Sequence, residues 1–259
     1  MKKLSTATIA LAGLMALSGP AAATEWTIGG GLGLAPDYEG SDNYKAVPLW
    51  NIKASDLYHP DTYVRVFGPT LRSNFLPHDN FRLGLSAQYV PRRKYVNSSA
   101  INRLGNTDRG FMLGGLVGYD FKFASNNVLG IELDGRYDVR DNLGALVTLR
   151  ANYTAPLRGA WIFNAGVEST YASDDYMDEF FSVGAAGSAN SGLPTYSADA
   201  GIKDVGLNVG VTYKFSQSWS MTGLASYKRM LSDADDSSPV TDAGSEHQLM
   251  GGFLVNYHF

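Results

Sequence analysis

From about residue 26 onward, apolar and polar positions alternate with a period of two. In 127–140, Leu129, Ile131, Leu133, Tyr137 and Val139 share one parity, and Glu132, Asp134, Arg136, Asp138 and Arg140 share the other. A strand sends successive side chains to opposite faces, so one face here is greasy and the other densely charged. One such segment would also fit a soluble sheet with its polar face in water. The repetition makes the difference. In 80–90, Phe81, Leu83, Leu85 and Tyr89 oppose Arg82, Ser86 and Gln88. In 142–154, Val147, Leu149 and Tyr153 oppose Thr148, Arg150 and Asn152, and in 160–171, Trp161, Phe163 and Val167 oppose Asn164 and Glu168.

Most of these segments have the roughly 9–11 residues that a tilted transmembrane strand needs, against about five or six for an ordinary strand. Aromatics mark the ends of the apolar faces: Trp161 with Tyr171, Trp219 with Tyr227, Phe253 with Tyr257 and Phe259. Girdles at two membrane interfaces produce that placement. The connections also sort by length. Those at 123–127, 155–159 and 216–218 are short, whereas 35–43, 91–109, 172–200 and 232–245 are long and polar. Short periplasmic turns and longer outer loops belong to outer-membrane barrels. The 139–142 connection is short although the alternation puts it outside.

The pattern predicts an all-β, antiparallel transmembrane barrel of the outer membrane. Its strands are expected near 26–34, 44–53, 61–67, 70–76, 80–90, 110–122, 127–139, 142–154, 160–171, 203–215, 218–230 and 247–259. That makes twelve. The region 44–76 is the least regular, and ten strands is the alternative. A closed barrel pairs every backbone polar group inside lipid.

The beginning of the chain reads differently. Lys2 and Lys3 precede an apolar stretch, Ala7 to Leu17, and Ala21-Ala22-Ala23 follows Ser18-Gly19-Pro20. This is the pattern of a secretory signal peptide covering 1–23, with 24–259 as one barrel domain. The apolar stretch is too short for a permanent membrane helix. There are 0 cysteines, so neither disulfides nor a lipid-anchored cysteine is available. A net charge of −4 argues against a nucleic-acid partner. Mean hydropathy, −0.13, is too low for a helical membrane protein.

Candidate chemistry is sparse, and no catalytic residue, cofactor or metal site is expected. His59, His78, His247 and His258 form no metal-spaced motif, and no GxSxG elbow occurs. Ser245-Glu246-His247 reads more simply as a polar loop end than as part of a hydrolytic triad. The inward set Arg82, Gln88, Glu132, Asp134, Arg136, Asp138, Arg140, Arg150 and Glu168 interleaves both signs. It fits the lining of a small channel, or a cross-strand network that fills the barrel; the limited bore of a barrel this size favours the network. Arg92, Arg93, Lys94 and Arg103 in 91–109 are candidates for lipopolysaccharide phosphates. The aspartates at 233, 235, 236 and 242 invite a divalent cation but lack EF-hand spacing. Asp174 to Phe181 suits a short helix with an acidic start that caps or enters the mouth.

Three blocks carry a resemblance. Ala35 to Trp50 (APDYEGSDNYKAVPLW, with Pro36, Tyr38 and Gly40) is one. Phe180 to Val205 (with Ser191-Gly192-Leu193-Pro194 and Tyr196) is another. The third is Tyr227 to Val240, followed by Gly244-Ser245 and the terminal Tyr257-His258-Phe259. Together and in order they resemble the MipA/OmpV family of outer-membrane proteins; 91–160 matches only in general pattern. The resemblance implies a barrel without catalysis. It also implies a scaffold joining a periplasmic lytic transglycosylase to a penicillin-binding protein, with adhesion, osmotic or antibiotic response, or small-solute or antibiotic contact as other roles in the family. The aromatic end of the last strand, Tyr257 and Phe259, resembles the signal read by the barrel-insertion machinery. Outer-membrane lipid and lipopolysaccharide are the surroundings such a barrel implies.

Overall fold

A computed structural model describes residues 24–140 and 143–259. The expected signal peptide, 1–23, lies outside them. Twelve strands form one closed antiparallel barrel. They are β1 (Glu25–Pro36), β2 (Tyr44–Ser55), β3 (Tyr63–Phe67), β4 (Thr70–Asn74), β5 (Phe81–Val90), β6 (Gly110–Lys122), β7 (Val128–Asp138), β8 (Ala145–Pro156), β9 (Trp161–Ala172), β10 (Gly201–Lys214), β11 (Trp219–Met230) and β12 (His247–His258). Each pairs with its sequence neighbours, and β1 closes on β12 with Leu34 opposite Gly251 and Thr27 opposite His258. Among the described residues, four short α-helices lie in the connections: α1 (Ser99–Leu104), α2 (Asp174–Phe181), α3 (Ala185–Ser191) and α4 (Ser238–Thr241).

The alternation decides which face meets lipid. On β5, Phe81, Leu83, Leu85 and Tyr89 are exposed on the outside, Leu85 by 62%. Arg82, Ser86 and Gln88 turn inward. No helix among the described residues is long and apolar enough to cross a membrane; the strands cross it. At the short-turn end, aromatic rings form chains on the outer surface. Phe81 meets Tyr119 at 4.8 Å and Tyr119 meets Phe121 at 4.7 Å; Trp219 meets Tyr257 at 4.8 Å, and Tyr257 meets Phe259 at 4.7 Å. A second belt, with Tyr44, Tyr89, Phe111, Tyr137 and Tyr171 exposed, rings the long-loop end. The belts lie where the two interfaces of a bilayer would fall, and the long loops mark the outer end.

The irregular region is two strands, each of five residues. Their hairpin turns at Gly68-Pro69, well short of the outer end of β2. Gly68 donates to the Trp50 carbonyl at 3.0 Å, so the even-numbered backbone groups of β2 face the hairpin. Pro48 therefore lacks its N–H on the side where β3 has already ended, the position where proline costs a sheet least. At Gly31 a built Cβ would lie 1.8 Å from the Phe253 carbonyl oxygen, and at Gly84 it would lie 1.9 Å from that of Ser73. Only glycine permits so close an approach between strands.

Candidate functional site: a capped, ion-laced lumen

The outer mouth is closed by four loops, 37–43, 91–109, 173–200 and 231–246, that fold into it. Helix α2 begins after Ser173, with Asp174 and Asp175 in its first turn, where the helix dipole favours acids. Tyr176, Met177, Phe180 and Phe181 recur one helical turn apart and form an apolar stripe. That stripe packs against Val90, Met112, Leu146, Ala172 and Met230, the inward side chains at the outer ends of five strands. Tyr38, Val96, Ile101, Val183 and Leu193 form a second cluster beside it.

Polar contacts lock the loops together. The Tyr38 hydroxyl donates to the Ala243 carbonyl at 2.8 Å, and Ser238 Oγ donates to the Pro194 carbonyl at 2.8 Å. Gly40 takes a φ of +95°, accepts Ser245 N–H at 2.8 Å, and donates to Gln248 Oε1 at 3.3 Å. Gly192 ends α3 in the left-handed region, Tyr196 pairs with Val183, and Ser191 Oγ accepts the Leu193 N–H at 3.1 Å. Pro36 ends β1 opposite Tyr44. Loop residues from all three sequence blocks that carry the family resemblance thus meet in one cap, while the terminal Tyr257-His258-Phe259 lies at the opposite end. Burial pushes the Tyr38 hydroxyl up to about 12, although the Arg93 guanidinium nearby pulls it the other way. Burial likewise raises Tyr176 well above the usual phenol value and raises the Glu179 carboxyl.

A β-bulge between Ile202 and Asp204 supplies the latch. It turns two consecutive residues, Lys203 and Asp204, into the lumen, where both are buried. Lys203 pairs with Asp204 and with Glu39 from the first outer loop. Tyr176 of α2 donates to the same Glu39 at 2.8 Å. Strict alternation would have put Lys203 on the lipid side, which is why the sequence pattern misses this cluster.

Below the cap, charged side chains of β4 to β9 cross-link the inside wall. Arg82 meets Glu132 at 2.7 Å and Asp120 at 3.1 Å. Arg150 meets Asp134 at 3.1 Å, Glu168 at 3.1 Å and Glu132 at 3.6 Å. Arg136 lies 3.4 Å from Asp134 and donates to Gln88, while Ser86 donates to Asp134 at 2.6 Å. Asp138 is buried and accepts the Phe111 N–H at 2.9 Å. These contacts form a network, which Arg72 joins by pairing with Glu132. The strand of Arg72 has five residues, too short to show a clear period in the sequence.

Two expectations need correction. Arg140 lies past the end of β7 and is exposed, outside the lumen. Arg93 is buried, donates to the Phe180 carbonyl at 3.2 Å, and stands 5.9 Å from the Tyr38 ring, so it holds the cap and faces no lipid headgroup. Arg92 and Lys94 are exposed, and Arg103 is exposed but donates to the Ser191 carbonyl at 3.3 Å. Ser245 Oγ accepts the His247 backbone N–H, and the His247 ring faces Tyr227 and Glu246 instead. That is loop-end geometry without a nucleophile relay. No group of three or more His, Cys, Asp or Glu that could hold a metal occurs among the described residues.

The family model described as MltA-interacting protein MipA matches residues 28–259. The chain belongs to the MipA family. No curated protein matches it. Among solved structures, an outer membrane channel from Pseudomonas putida F1 is similar at 12% identity and TM-score 0.48, covering 93% of this chain and 97% of that one. The NanC porin is similar at 10% identity and TM-score 0.44, with 91% and 99% covered. The CymD monoaromatic hydrocarbon channel is similar at 10% identity and TM-score 0.42, with 91% and 88% covered. Function lives in sites grafted onto folds, so likeness to such distant barrels says nothing of this lumen.

Proposed function

We propose that this MipA-family barrel is a non-catalytic scaffold whose periplasmic face docks a lytic transglycosylase and, with it, a penicillin-binding protein. The observation that carries the reading is the closed outer mouth: the α2 stripe fills it and the Lys203–Glu39 pair latches it. A barrel sealed toward the outside has its periplasmic end left as a working surface. The family description, an MltA-interacting protein, supports the same reading.

The docking surface is assigned to the connections 56–62 and 75–80. They are the longest at that end and are tied to each other and to β6. Asn74 Nδ2 donates to the Asp61 carbonyl at 2.8 Å, and Lys122 pairs with Asp61 at 2.8 Å. Tyr58 stands exposed between them by 51%, a rigid aromatic of the kind that anchors interfaces. A photo-crosslinking residue placed at Tyr58 or Asp79 in living cells tests the assignment. Adducts with a murein lytic transglycosylase are expected. Adducts no more frequent than from an unrelated barrel would sink the reading.

A further inference from the structure

The lower half of the lumen differs from the capped half. Arg65 is solvent-exposed inside the barrel, and Lys53 and Arg72 are only half buried. The wall facing them is built of small polar residues, among them Asn164, Asn208, Thr212 and Thr222, which are only partly covered. A water-accessible cup therefore opens toward the periplasm beneath the ion network.

Three cations stand side by side in that cup. Lys53 of β2 is directly opposite Arg65 of β3, and Arg65 is directly opposite Arg72 of β4. Like charges facing each other across strands destabilise a sheet unless something neutralises them. Arg65 donates to Asn51 Oδ1 at 2.8 Å, and Lys53 lies 5.8 Å from the Tyr63 ring centroid. Neither has a carboxylate within ion-pair distance among the described residues. Arg72 pairs with Glu132, but that one carboxylate also serves Arg82 and Arg150. The Nε atoms of Arg72 and Arg82 are buried without a hydrogen-bond partner. The cluster is short of negative charge and of acceptors at once.

We infer that Lys53, Arg65 and Arg72 form a binding site for a small organic anion with two or more carboxylate or phosphate groups, entering from the periplasm. Neighbouring strands are about 4.8 Å apart, so the three side chains root over roughly 10 Å, a span suited to a polyanion rather than a single small ion. Guanidinium forks match both carboxylate and phosphate oxygens.

Calorimetric titration of the whole barrel in detergent with citrate and with pyrophosphate tests this, with trehalose as the neutral control. No partner protein is present, so the outcome is independent of the docking proposal. Saturable binding of at least one anion is expected, weakened tenfold or more by Lys53→Gln or Arg65→Gln and unchanged by Lys214→Gln. Citrate alone would identify a carboxylate site, and pyrophosphate alone a phosphate site. Without anion, both cluster variants should keep the heat-modifiable gel shift and unfold at the same temperature as the parent or higher, because a like-charge contact is relieved. Absence of saturable binding, equal binding by the variants, or variants that unfold at lower temperature without anion would overturn the inference.

Discussion

Lys203 and Glu39 are 164 positions apart in the chain, yet they pair in the outer mouth and join β10 to the first outer loop. Asp204 completes the cluster from the same bulge, and Tyr176 ties the cap helix to it. Removing one partner of a buried ion pair costs about 3–5 kcal/mol, because the other charge stays buried and unpaired. Among the described residues, Lys203→Met leaves Asp204 buried with only the Lys228 cation within reach, at 3.9 Å, and leaves the partly exposed Glu39 with only the Tyr176 hydroxyl. The expected result is a cap released from a barrel that still folds. An added protease should then cleave within 174–200 in intact cells. The parent should be silent in a planar bilayer and the variant should show intermittent conductance. A parent barrel that already conducts steadily would contradict the sealed mouth.

Glu132 accepts three guanidiniums, from Arg72, Arg82 and Arg150. Glu132→Gln keeps the shape and removes the charge that offsets them. Loss of several kcal/mol is the expected scale for a buried group at the centre of such a network. The check is the temperature at which the folded band disappears on a gel. It should fall much further for Glu132→Gln than for Glu246→Gln, whose carboxylate sits at the rim of a loop.

The barrel was legible in the sequence because lipid demands an apolar face along every long strand, and that demand writes a period of two. Strand ends agree within about three residues wherever the strand is long. Legibility failed where the period is interrupted. β3 and β4 are too short to display one, so Arg65 and Arg72 went unread. The bulge at Lys203 reverses parity, so the latch went unread. Loop residues have no period at all: Arg93 and Arg103 look alike in sequence, but one is buried under the cap and the other is exposed. The family blocks were visible as motifs, but only the fold brings Tyr38 to Ala243 and Ser238 to Pro194.

Glycines on the two faces should respond in opposite ways. At Gly31 a Cβ would run into the Phe253 carbonyl and the Leu254 backbone. At Gly30, one position along and facing lipid, nothing lies within 4 Å. Gly31→Ala must push β1 away from β12 at the seam that closes the barrel. Folding yield, measured by the heat-modifiable shift, should collapse for Gly31→Ala and stay near that of the parent for Gly30→Ala. Equal yields would mean that the seam is looser than its geometry implies.

Alkaline pH should open the cap before it unfolds the wall. Burial raises the Tyr38 hydroxyl to about 12 from its ordinary value of 10.0. The folded state therefore holds the proton more tightly than the unfolded one. Its stabilising effect is complete below pH 10 and is lost as pH climbs toward 12. Tyr176 is raised in the same direction, so the two phenols act together. Both lie in the cap, and Tyr38 loses its hydrogen bond to Ala243 when it ionises. Protease sensitivity of 174–200 should rise steeply between pH 10 and 12 while the strands keep their circular dichroism. Tyr38→Phe removes both the ionisation and the bond. It should make the cap more labile at neutral pH and flatten its alkaline response. An unchanged alkaline transition in that variant would show that another group governs the opening.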